Sequence, residues 1–453
     1  MSTKFHKSGR SQFATRVGVI AATVGSSVGL GNIWRFPYEC GTHGGAAFIL
    51  CYVGFILLLG IPVICAEFVL GRQSRSDFYG CFKKTGAPKA WHSVGYLGII
   101  SSLLILSFYS VVAGWTLEYL WQTCTGALLE PGSRYDRIFT EFSARSWRPL
   151  MWTLLFLLVN HAVVRGGVQN GIERMSNILM PLLFGILVVL CINSLFLPGA
   201  ARGLEFMFKP DFGALTARTV LSAMGQAFFS LSIGLGCMLT YASYFSDRTP
   251  LLRNAGITAG LDTLVAVMAG VLIFPAVFTY GIQPAEGPTL VFEVLPAIFA
   301  SMPGGRFIAF LFFLMLAVAS LTSTISMSEI SIAFFTDQRR MSRRRACLLS
   351  TGIAVAGGIL CTLSFSGASD INIGSWTLSF FDLFNNLSSN ICLPVGGILI
   401  SIYAGWYLSR ETMRNQLTDG GRLRHIPVGA LVFLLRYICP AAIAVILLSP
   451  LLG

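Results

Sequence analysis

Long apolar runs recur from one end of the chain to the other, separated by short connections that carry most of the charged residues. The runs have about the length that an α-helix needs to cross the hydrocarbon core of a bilayer, ~17–25 residues. One run, at 150–164, is slightly short and is counted because its flanks are polar. The pattern therefore predicts eleven membrane-spanning helices, at 17–38, 47–70, 96–121, 150–164, 179–197, 215–239, 264–282, 307–335, 348–365, 378–408 and 428–448.

Two of these predicted spans are interrupted by glycine-rich segments. GSSVGLGN occupies 25–32 of the first span, and FFSLSIGLGC occupies 228–237 of the sixth. Aligning SSVGLGN with LSIGLGC places Ser, a β-branched residue, Gly, Leu and Gly at the same offsets. The breaks are five spans apart, so they enter the membrane from opposite sides. Discontinuous spans at corresponding places in two halves indicate a transporter built from an inverted repeat. We expect one transmembrane domain over 1–453, with repeats at about 12–197 and 212–408 and an eleventh span at about 428–448.

An unwound segment in a bilayer leaves backbone N–H and C=O groups without partners, which hydrocarbon does not tolerate. Free carbonyls can coordinate a cation, and the N-termini of half-helices can hold a carboxylate. For one run alone, the alternative is a tight helix-packing site of the GxxxG kind. Repetition of the run in register favours binding at both breaks.

Composition supports a membrane protein, and the placement of charge gives an orientation. The chain is 54% hydrophobic and 11% charged, against roughly 25% charged residues in an average soluble domain. The net charge of +12 would suit a nucleic-acid partner, but 22 of the 32 Lys and Arg residues lie beside the connections on one predicted side. By the positive-inside rule that side is cytoplasmic and includes the N-terminus, while the C-terminus lies outside. The charge therefore sets the topology, and no nucleic-acid partner is expected.

Motifs for chemistry are missing from the sequence. The eleven cysteines lack CxxC spacing, the five histidines lie far apart, and no GxSxG, Walker or HExxH motif occurs. We therefore expect no bond-breaking activity and no enzyme.

The stretch RVGVIAATVGSSVGLGNIWRFPY (16–38) strongly resembles the neurotransmitter:sodium symporter family, especially its bacterial amino-acid transporters of the leucine-transporter type. The resemblance covers nearly the whole chain and includes IPVICAEFVLGR (61–72), GIERMSNILMP (171–181), GQAFFSLSIGLG (225–236), TYASY (240–244), LPAIF (295–299) and ASLTSTIS (319–326). It implies the all-α leucine-transporter fold, which has an inverted repeat of five plus five spans, discontinuous first and sixth spans, and an eleventh span.

The resemblance also implies two sodium sites. One site would use the backbone carbonyls of Gly25, Val28 and Ala319. It would also use the hydroxyls of Thr322 and Ser323. The two hydroxyls could instead bond back to their own helix. The other site would use the carboxylate of the substrate itself together with Ser27, Asn32, Ser230 and Asp262. A shared carboxylate would link the substrate directly to the ion.

The substrate pocket implied by the resemblance comprises Ser26, Gly29, Gly31, Ile105, Tyr109, Phe229, Ser232, Leu235, Ser323 and Met327. Tyr109 would donate a hydrogen bond to the substrate carboxylate, and Phe229 would cover the site. Gly29 stands where members that carry monoamines have an aspartate, so it argues for an amino acid. The apolar pocket residues favour a neutral, hydrophobic side chain, although they also fit ordinary packing between spans.

Charged residues at the two ends of the pocket resemble the family's gates. The gate residues would be Arg35 and Asp382 at the outer end, and Arg10, Asp337 and Tyr244 at the inner end. FFDLFNNLSSN (380–390) permits a second register in which Asn385 replaces Asp382. The alternatives are that Arg35 snorkels to the interface and that Arg10 only sets the topology.

Position 262 departs from the family pattern, which usually has asparagine where this chain has Asp262. Bacterial relatives often have a glutamate one turn later, where this chain has Ala266. Animal relatives hold chloride in this neighbourhood, with groups that correspond to Tyr52, Gln226 and Ser230. We expect the Asp262 carboxylate to replace the chloride, which is therefore not expected as a cofactor. After sodium leaves, the buried carboxylate would bind a proton, unless it acts as an ordinary sodium ligand.

These features predict a sodium-coupled symporter that imports a neutral L-amino acid by alternating access. We expect it in the bacterial cytoplasmic membrane, surrounded by the lipid bilayer, with one monomer sufficient for transport. The alternatives are a proton-coupled transporter, an ion channel or an amino-acid sensor on the same fold. A channel would line its pore with rings of carbonyls or charges, and a sensor would need a signalling region that the short tails do not provide.

Overall fold

The computed structural model describes residues 10–130, 134–145, 147–281, 290–365, 371–373, 376–423 and 426–452. Nine helices within these residues are long and apolar enough to cross a membrane. They are the second to fifth and the seventh to eleventh spans, in order Ala46–Ser74, Lys89–Thr125, Trp147–Arg165, Val168–Leu195, Leu251–Tyr280, Gly305–Asp337, Arg343–Ser364, Phe380–Tyr407 and Val428–Ser449. The short run at 150–164 belongs to a helix of 19 residues, which is long enough to span.

The first and sixth spans are each broken in two. The halves of the first, Arg16–Ser27 and Gly31–Thr42, meet at a bend of 54°. The halves of the sixth are Ala217–Ser230 and Cys237–Ala242, with 231–236 between them. Counting the bent first pair as one span gives ten spans among the described residues, and the sixth pair, whose second half has six residues, lies where the remaining span was predicted.

Shorter elements occupy the connections. They are the helices Phe78–Lys84, Tyr135–Ala144, Ala200–Phe208, Leu290–Ser301 and Arg410–Leu417, and the 3₁₀ turns Ala127–Leu129 and Phe212–Ala214. Strands β1 (Ile371–Ile373) and β2 (Trp376–Leu378) form an antiparallel hairpin before the tenth span. Apart from this small hairpin, the described residues form helices, turns and irregular connections, as the all-α fold predicts.

The third and eighth spans lie at the centre of the bundle. The apolar segments of these spans are 78% and 83% buried, against 28% for the eleventh. Large apolar side chains on the outward faces of other spans, such as Leu57, Leu158 and Phe196, remain exposed. Exposed apolar surface on this scale is typical of a membrane protein.

One end of the bundle brings several cytoplasmic candidates together, and we call it the amino-terminal face. Arg72, at the end of the second span, donates from Nη1 to the Thr249 carbonyl and from Nε to Gln416 Oε1, both at 2.7 Å. Helix Arg410–Leu417 therefore lies at the same end as the connection that follows the sixth span. The Arg10–Asp337 ion pair also lies at this end.

Candidate functional site

In the first break, side chains of other spans replace the helical partners of the backbone. Ser27 ends the first half-helix, and Val28, with φ −68° and ψ 116°, turns the chain out of it. The Gly29 N–H donates to the side-chain oxygen of Asn32, and the Leu30 N–H donates to Tyr109 Oη at 2.9 Å. The Val28 carbonyl accepts from Ser323 Oγ at 3.1 Å. The break is therefore held by the central third and eighth spans.

Steric contacts, as well as the chemistry of the substrate, explain why position 29 is a glycine. A Cβ at this position would lie 2.7 Å from Ser323 Oγ and 2.8 Å from Tyr109 Oη. An aspartate here would have to displace both hydroxyls, and these are the groups that hold the break together.

The second break relies on backbone conformations that glycine favours. Gly234 and Gly236 both have φ of 87°, and Ser232 has φ of 52°, which is uncommon for a residue with a side chain. The fully buried Glu67 of the second span accepts from the Gly234 N–H at 2.9 Å and from the Leu239 N–H at 3.1 Å. Glu67 is not among the site residues predicted from the sequence. A lone carboxylate inside an apolar span was the available signal, because such a group is costly and usually functional.

A cavity of about 40 Å³ lies between the two breaks. Nine of the ten predicted substrate residues line it: Gly29, Gly31, Ile105, Tyr109, Phe229, Ser232, Leu235, Ser323 and Met327. The tenth, Ser26, does not line it but accepts at its carbonyl from Ser232 Oγ at 3.4 Å. Phe108 and Leu393 also line the cavity; the sequence did not distinguish them from other apolar residues in spans.

The predicted residues of one sodium site meet where the first and eighth spans touch. Ser323 reaches across to the Val28 carbonyl, whereas Thr322 Oγ1 donates to its own helix, at 3.0 Å from the Ala319 carbonyl. A Cβ on Gly25 would lie 3.2 Å from the Thr322 Cβ. The two hydroxyls thus behave differently, one bonding across the interface and one back to its helix. We call these five residues the first oxygen cluster.

The residues of the other predicted sodium site form a network around a buried carboxylate. Asp262, which is fully buried, accepts at Oδ2 from Ser230 Oγ at 2.6 Å and from Tyr52 Oη at 3.4 Å. Its Oδ1 accepts from Asn32 Nδ2 at 2.8 Å. Ser27 also faces the cavity and donates to its own helix. We call Ser27, Asn32, Ser230 and Asp262 the second oxygen cluster. Both clusters offer the oxygen donors that hard cations prefer.

At the amino-terminal face the structure brings the predicted inner-gate residues together. Arg10 forms an ion pair with Asp337 and lies over the ring of Tyr244, 4.6 Å from its centroid. Asp337 also accepts from the Asp77 N–H at 2.9 Å, and Tyr244 Oη donates to Glu329 at 2.7 Å. Burial lowers the pKa of Arg10, but Tyr244 and Asp337 together raise the pKa by more than burial lowers it, so the net shift is upward. This guanidinium therefore remains charged beside Asp337.

At the opposite end the structure does not pair Arg35 with Asp382. Arg35 instead lies 3.5 Å from Glu39 Oε1 and 4.6 Å from the centroid of the Phe229 ring. Ser379 caps the start of the tenth span, because its Oγ accepts from the Asp382 N–H at 3.0 Å and donates to Asp382 Oδ2 at 2.6 Å. The expected outer ion pair is therefore replaced by two local contacts.

The alternative register, with Asn385 in place of Asp382, does not give Arg35 a partner in this conformation either. Asn385 accepts from Ser389 Oγ at 3.2 Å, and among the described residues Asn385 makes no hydrogen bond to Arg35. The Arg35–Glu39 pair could have been predicted from spacing alone, since opposite charges four residues apart meet on one face of a helix.

Comparisons with known proteins agree with this geometry. A model of the sodium:neurotransmitter symporter family matches residues 10–131 and 141–452. YhdH, an uncharacterized sodium-dependent transporter of Bacillus subtilis, is 37% identical over 439 residues, or 97% of each chain. The sodium-dependent serotonin transporter of Drosophila melanogaster is 28% identical over 416 residues, or 80% of this chain and 66% of that one.

A solved structure gives a closer likeness. The crystal structure of MhsT in complex with L-phenylalanine has a TM-score of 0.88 and 42% sequence identity to this chain. The match covers 97% of this chain and all of the other. It confirms the predicted fold.

Proposed function

Because the chain belongs to the sodium:neurotransmitter symporter family, we propose that it imports a neutral, hydrophobic L-amino acid together with two sodium ions. The family consists of sodium symporters, not enzymes. The observation that carries the substrate class is the cavity between the two breaks, because none of the described residues that line it is charged. A charged substrate side chain would lose its hydration there without gaining a counter-ion.

The carboxylate of the substrate has partners at the first break. Tyr109 Oη already accepts from the Leu30 N–H, so its own hydrogen can be donated to the ligand. The second half-helix begins at Gly31, and a helix N-terminus attracts negative charge. The ligand side chain would then lie against Ile105, Leu235 and Met327. A related protein, MhsT, was crystallised with L-phenylalanine, which is consistent with a large apolar side chain.

Two sodium ions would supply ample driving force. Each ion that moves through 100 mV contributes ~2.3 kcal/mol, and a tenfold concentration gradient adds ~1.4 kcal/mol. Two ions therefore supply roughly 7 kcal/mol, on the order of a 10⁵-fold accumulation. The first and second oxygen clusters would hold one ion each, and the second would also use the substrate carboxylate.

Transport is proposed to be independent of chloride because of Asp262. Two sodium ions and a zwitterion would place two net positive charges near the middle of the membrane, where charge is costly. The Asp262 carboxylate would offset one of them from within the second oxygen cluster. When the ions leave, the buried carboxylate would bind a proton, so that proton export accompanies uptake.

The topology follows from the basic residues of the amino-terminal face. We place that face in the cytoplasm of a bacterial cell, with the C-terminus outside. One chain contains the cavity, both oxygen clusters and the inner gate, so a monomer suffices for transport.

Ligand-induced stabilisation tests the proposal directly. The purified protein is screened for thermal stabilisation by each of the twenty amino acids, with sodium or with potassium, because a ligand that binds the folded state raises its apparent stability. Stabilisation by large neutral amino acids in sodium alone is the expected result. Stabilisation that is equal in potassium and grows with acidification would favour the proton-coupled alternative, which Asp262 makes chemically reasonable. No stabilisation by any amino acid would refute the substrate class.

A further inference from the structure

A second and larger cleft lies at the amino-terminal face, away from the cavity between the breaks. Its volume is about 770 Å³, and its walls come from helix Arg410–Leu417, the described residues of the loop that follows it and the first turns of the eleventh span. The proposed transport cycle uses none of these residues. We call it the basic cleft.

Three arginines line the basic cleft: Arg410, Arg414 and Arg436. Arg410 and Arg414 are four residues apart on one helix, so they share a face. Among the described residues, no carboxylate lies within ion-pair distance of any of the three. A cleft with three cations and no anion of its own is complementary to an anion from outside the chain.

Arg436 is held in place by its neighbours while most of its donors stay free. Its Nε donates to the Gly405 carbonyl at 2.8 Å, and its guanidinium lies over the ring of Trp406, 4.7 Å from the centroid. Trp406 Nε1 in turn donates to the Arg436 carbonyl at 3.1 Å. The two terminal nitrogens make no hydrogen bond to the described residues, so a planar pair of donors remains for an oxyanion.

The level of Arg436 in the membrane points to a lipid. It lies eight residues after Val428, where the eleventh span begins, or about 12 Å along the helix axis. The aromatic residues around it, Trp406, Phe433 and Tyr437, are each about half exposed. Trp406 lies at the end of the tenth span and contacts Arg436, and an exposed Trp at the end of a span marks the headgroup region of a bilayer. The cleft therefore opens where lipid phosphates lie.

The remaining wall suits the apolar part of the same ligand. Val428, Val432 and Phe433 line the cleft on the side of the eleventh span. A free phosphate would leave this apolar wall in water, whereas a phosphoglyceride would cover it with its glycerol and acyl groups. Basic pockets between spans at the cytoplasmic face are suited to anionic headgroups.

We propose that the basic cleft binds the phosphate of an anionic phosphoglyceride, such as phosphatidylglycerol, with Arg436 as its principal ligand and Arg410 and Arg414 as supporting charges. Helix Arg410–Leu417 also contacts Arg72 through Gln416, which places the basic cleft at the same end of the bundle as Arg72.

Native mass spectrometry of the full chain tests this assignment. The protein is reconstituted in nanodiscs of equal parts phosphatidylglycerol and phosphatidylcholine. The lipid molecules that stay bound to the protein after its release from the nanodisc are identified and counted. Wild type should retain phosphatidylglycerol in preference to phosphatidylcholine. Arg436→Gln should lower the retained fraction about tenfold, because hydrogen bonds between a guanidinium and a phosphate are charge-assisted and stronger than neutral ones.

Two controls separate the cleft from general charge effects and the lipid from free phosphate. Arg345→Gln removes one exposed positive charge elsewhere on the same face and should leave retention unchanged. If Arg436→Gln does not fold, the surface variant Arg410→Gln with Arg414→Gln provides the same test. Equal retention of both lipids by wild type, or an equal loss in Arg345→Gln, would overturn the proposal. Displacement of phosphatidylglycerol by millimolar inorganic phosphate would overturn the lipid assignment in favour of a soluble phosphate.

Discussion

Replacing Tyr109 by phenylalanine removes one oxygen atom that has two separate tasks. The hydroxyl accepts from the buried Leu30 N–H at 2.9 Å, and its hydrogen is proposed to reach the substrate carboxylate. The first task concerns the ligand-free protein, and the second concerns binding. Because the tasks are distinct, the two losses can be measured separately.

The magnitudes follow from the two hydrogen bonds. A buried N–H that loses its acceptor costs ~1–3 kcal/mol, so the ligand-free Tyr109→Phe variant should unfold at a lower temperature. A hydrogen bond to a charged carboxylate contributes ~1.5–3 kcal/mol. At 1.4 kcal/mol for each factor of ten, substrate affinity in sodium should fall roughly 10- to 140-fold.

The third span offers a matched control for this substitution. Tyr119 lies on the same helix and is fully buried, and its hydroxyl has no hydrogen-bond partner among the described residues. Tyr119→Phe should therefore leave both affinity and ligand-free stability close to wild type. Both variants are measured by thermal unfolding and by scintillation proximity binding of the best-stabilising amino acid. Unchanged affinity in Tyr109→Phe, or an equal loss in Tyr119→Phe, would show that the carboxylate does not bind at this hydroxyl.

Three further predictions address the oxygen clusters and the second break. Thr322→Val combined with Ser323→Ala removes two hydroxyls with little change of volume and should abolish sodium-dependent uptake by proteoliposomes while the protein still unfolds cooperatively; normal sodium dependence would exclude the first oxygen cluster as a cation site. Wild type should keep its uptake when chloride is replaced by gluconate, whereas Asp262→Asn should lose uptake and regain part of it in chloride; loss of wild-type uptake in gluconate would refute the role of the carboxylate. Glu67→Gln leaves one of two backbone N–H groups facing an amide NH₂, so the melting temperature and the uptake rate should both fall, and a variant with wild-type values would show that the second break does not depend on this carboxylate.

The breaks and most of the cavity could be predicted from the sequence because their causes are local. Glycine runs in the middle of apolar spans have few structural uses, and their repetition at 29–31 and 234–236 located both halves of the site. Gly29 shows why such positions are informative. Its lack of a side chain is required by two hydroxyls that lie within 3 Å of where a Cβ would be. The identity of the residue thus reports the contact directly.

Phe108, Leu393 and Glu67 could not be found in the same way. Phe108 and Leu393 face the cavity because of how their helices are rotated. In a helix that is apolar on all sides, the sequence does not show which side faces the cavity. Glu67 was visible as an isolated charge, but its partners are backbone N–H groups more than 160 residues away in the sequence. Backbone donors are the same at every position, so no side-chain pattern could have identified them.

The two gates differ for a related reason. A long charged side chain can reach several partners, and the local one is favoured when it lies on the same helix face, because pairing it costs no rearrangement of the spans. Arg35 has Glu39 one turn away, and Asp382 has Ser379, so both expected partners of the outer gate are occupied locally. Arg10 precedes the first half-helix, and it pairs with Asp337 across the bundle. An outer pair between Arg35 and Asp382 therefore requires the two side chains to be brought together by movement of their spans, and the free energy for that movement would have to come from the bound substrate and ions.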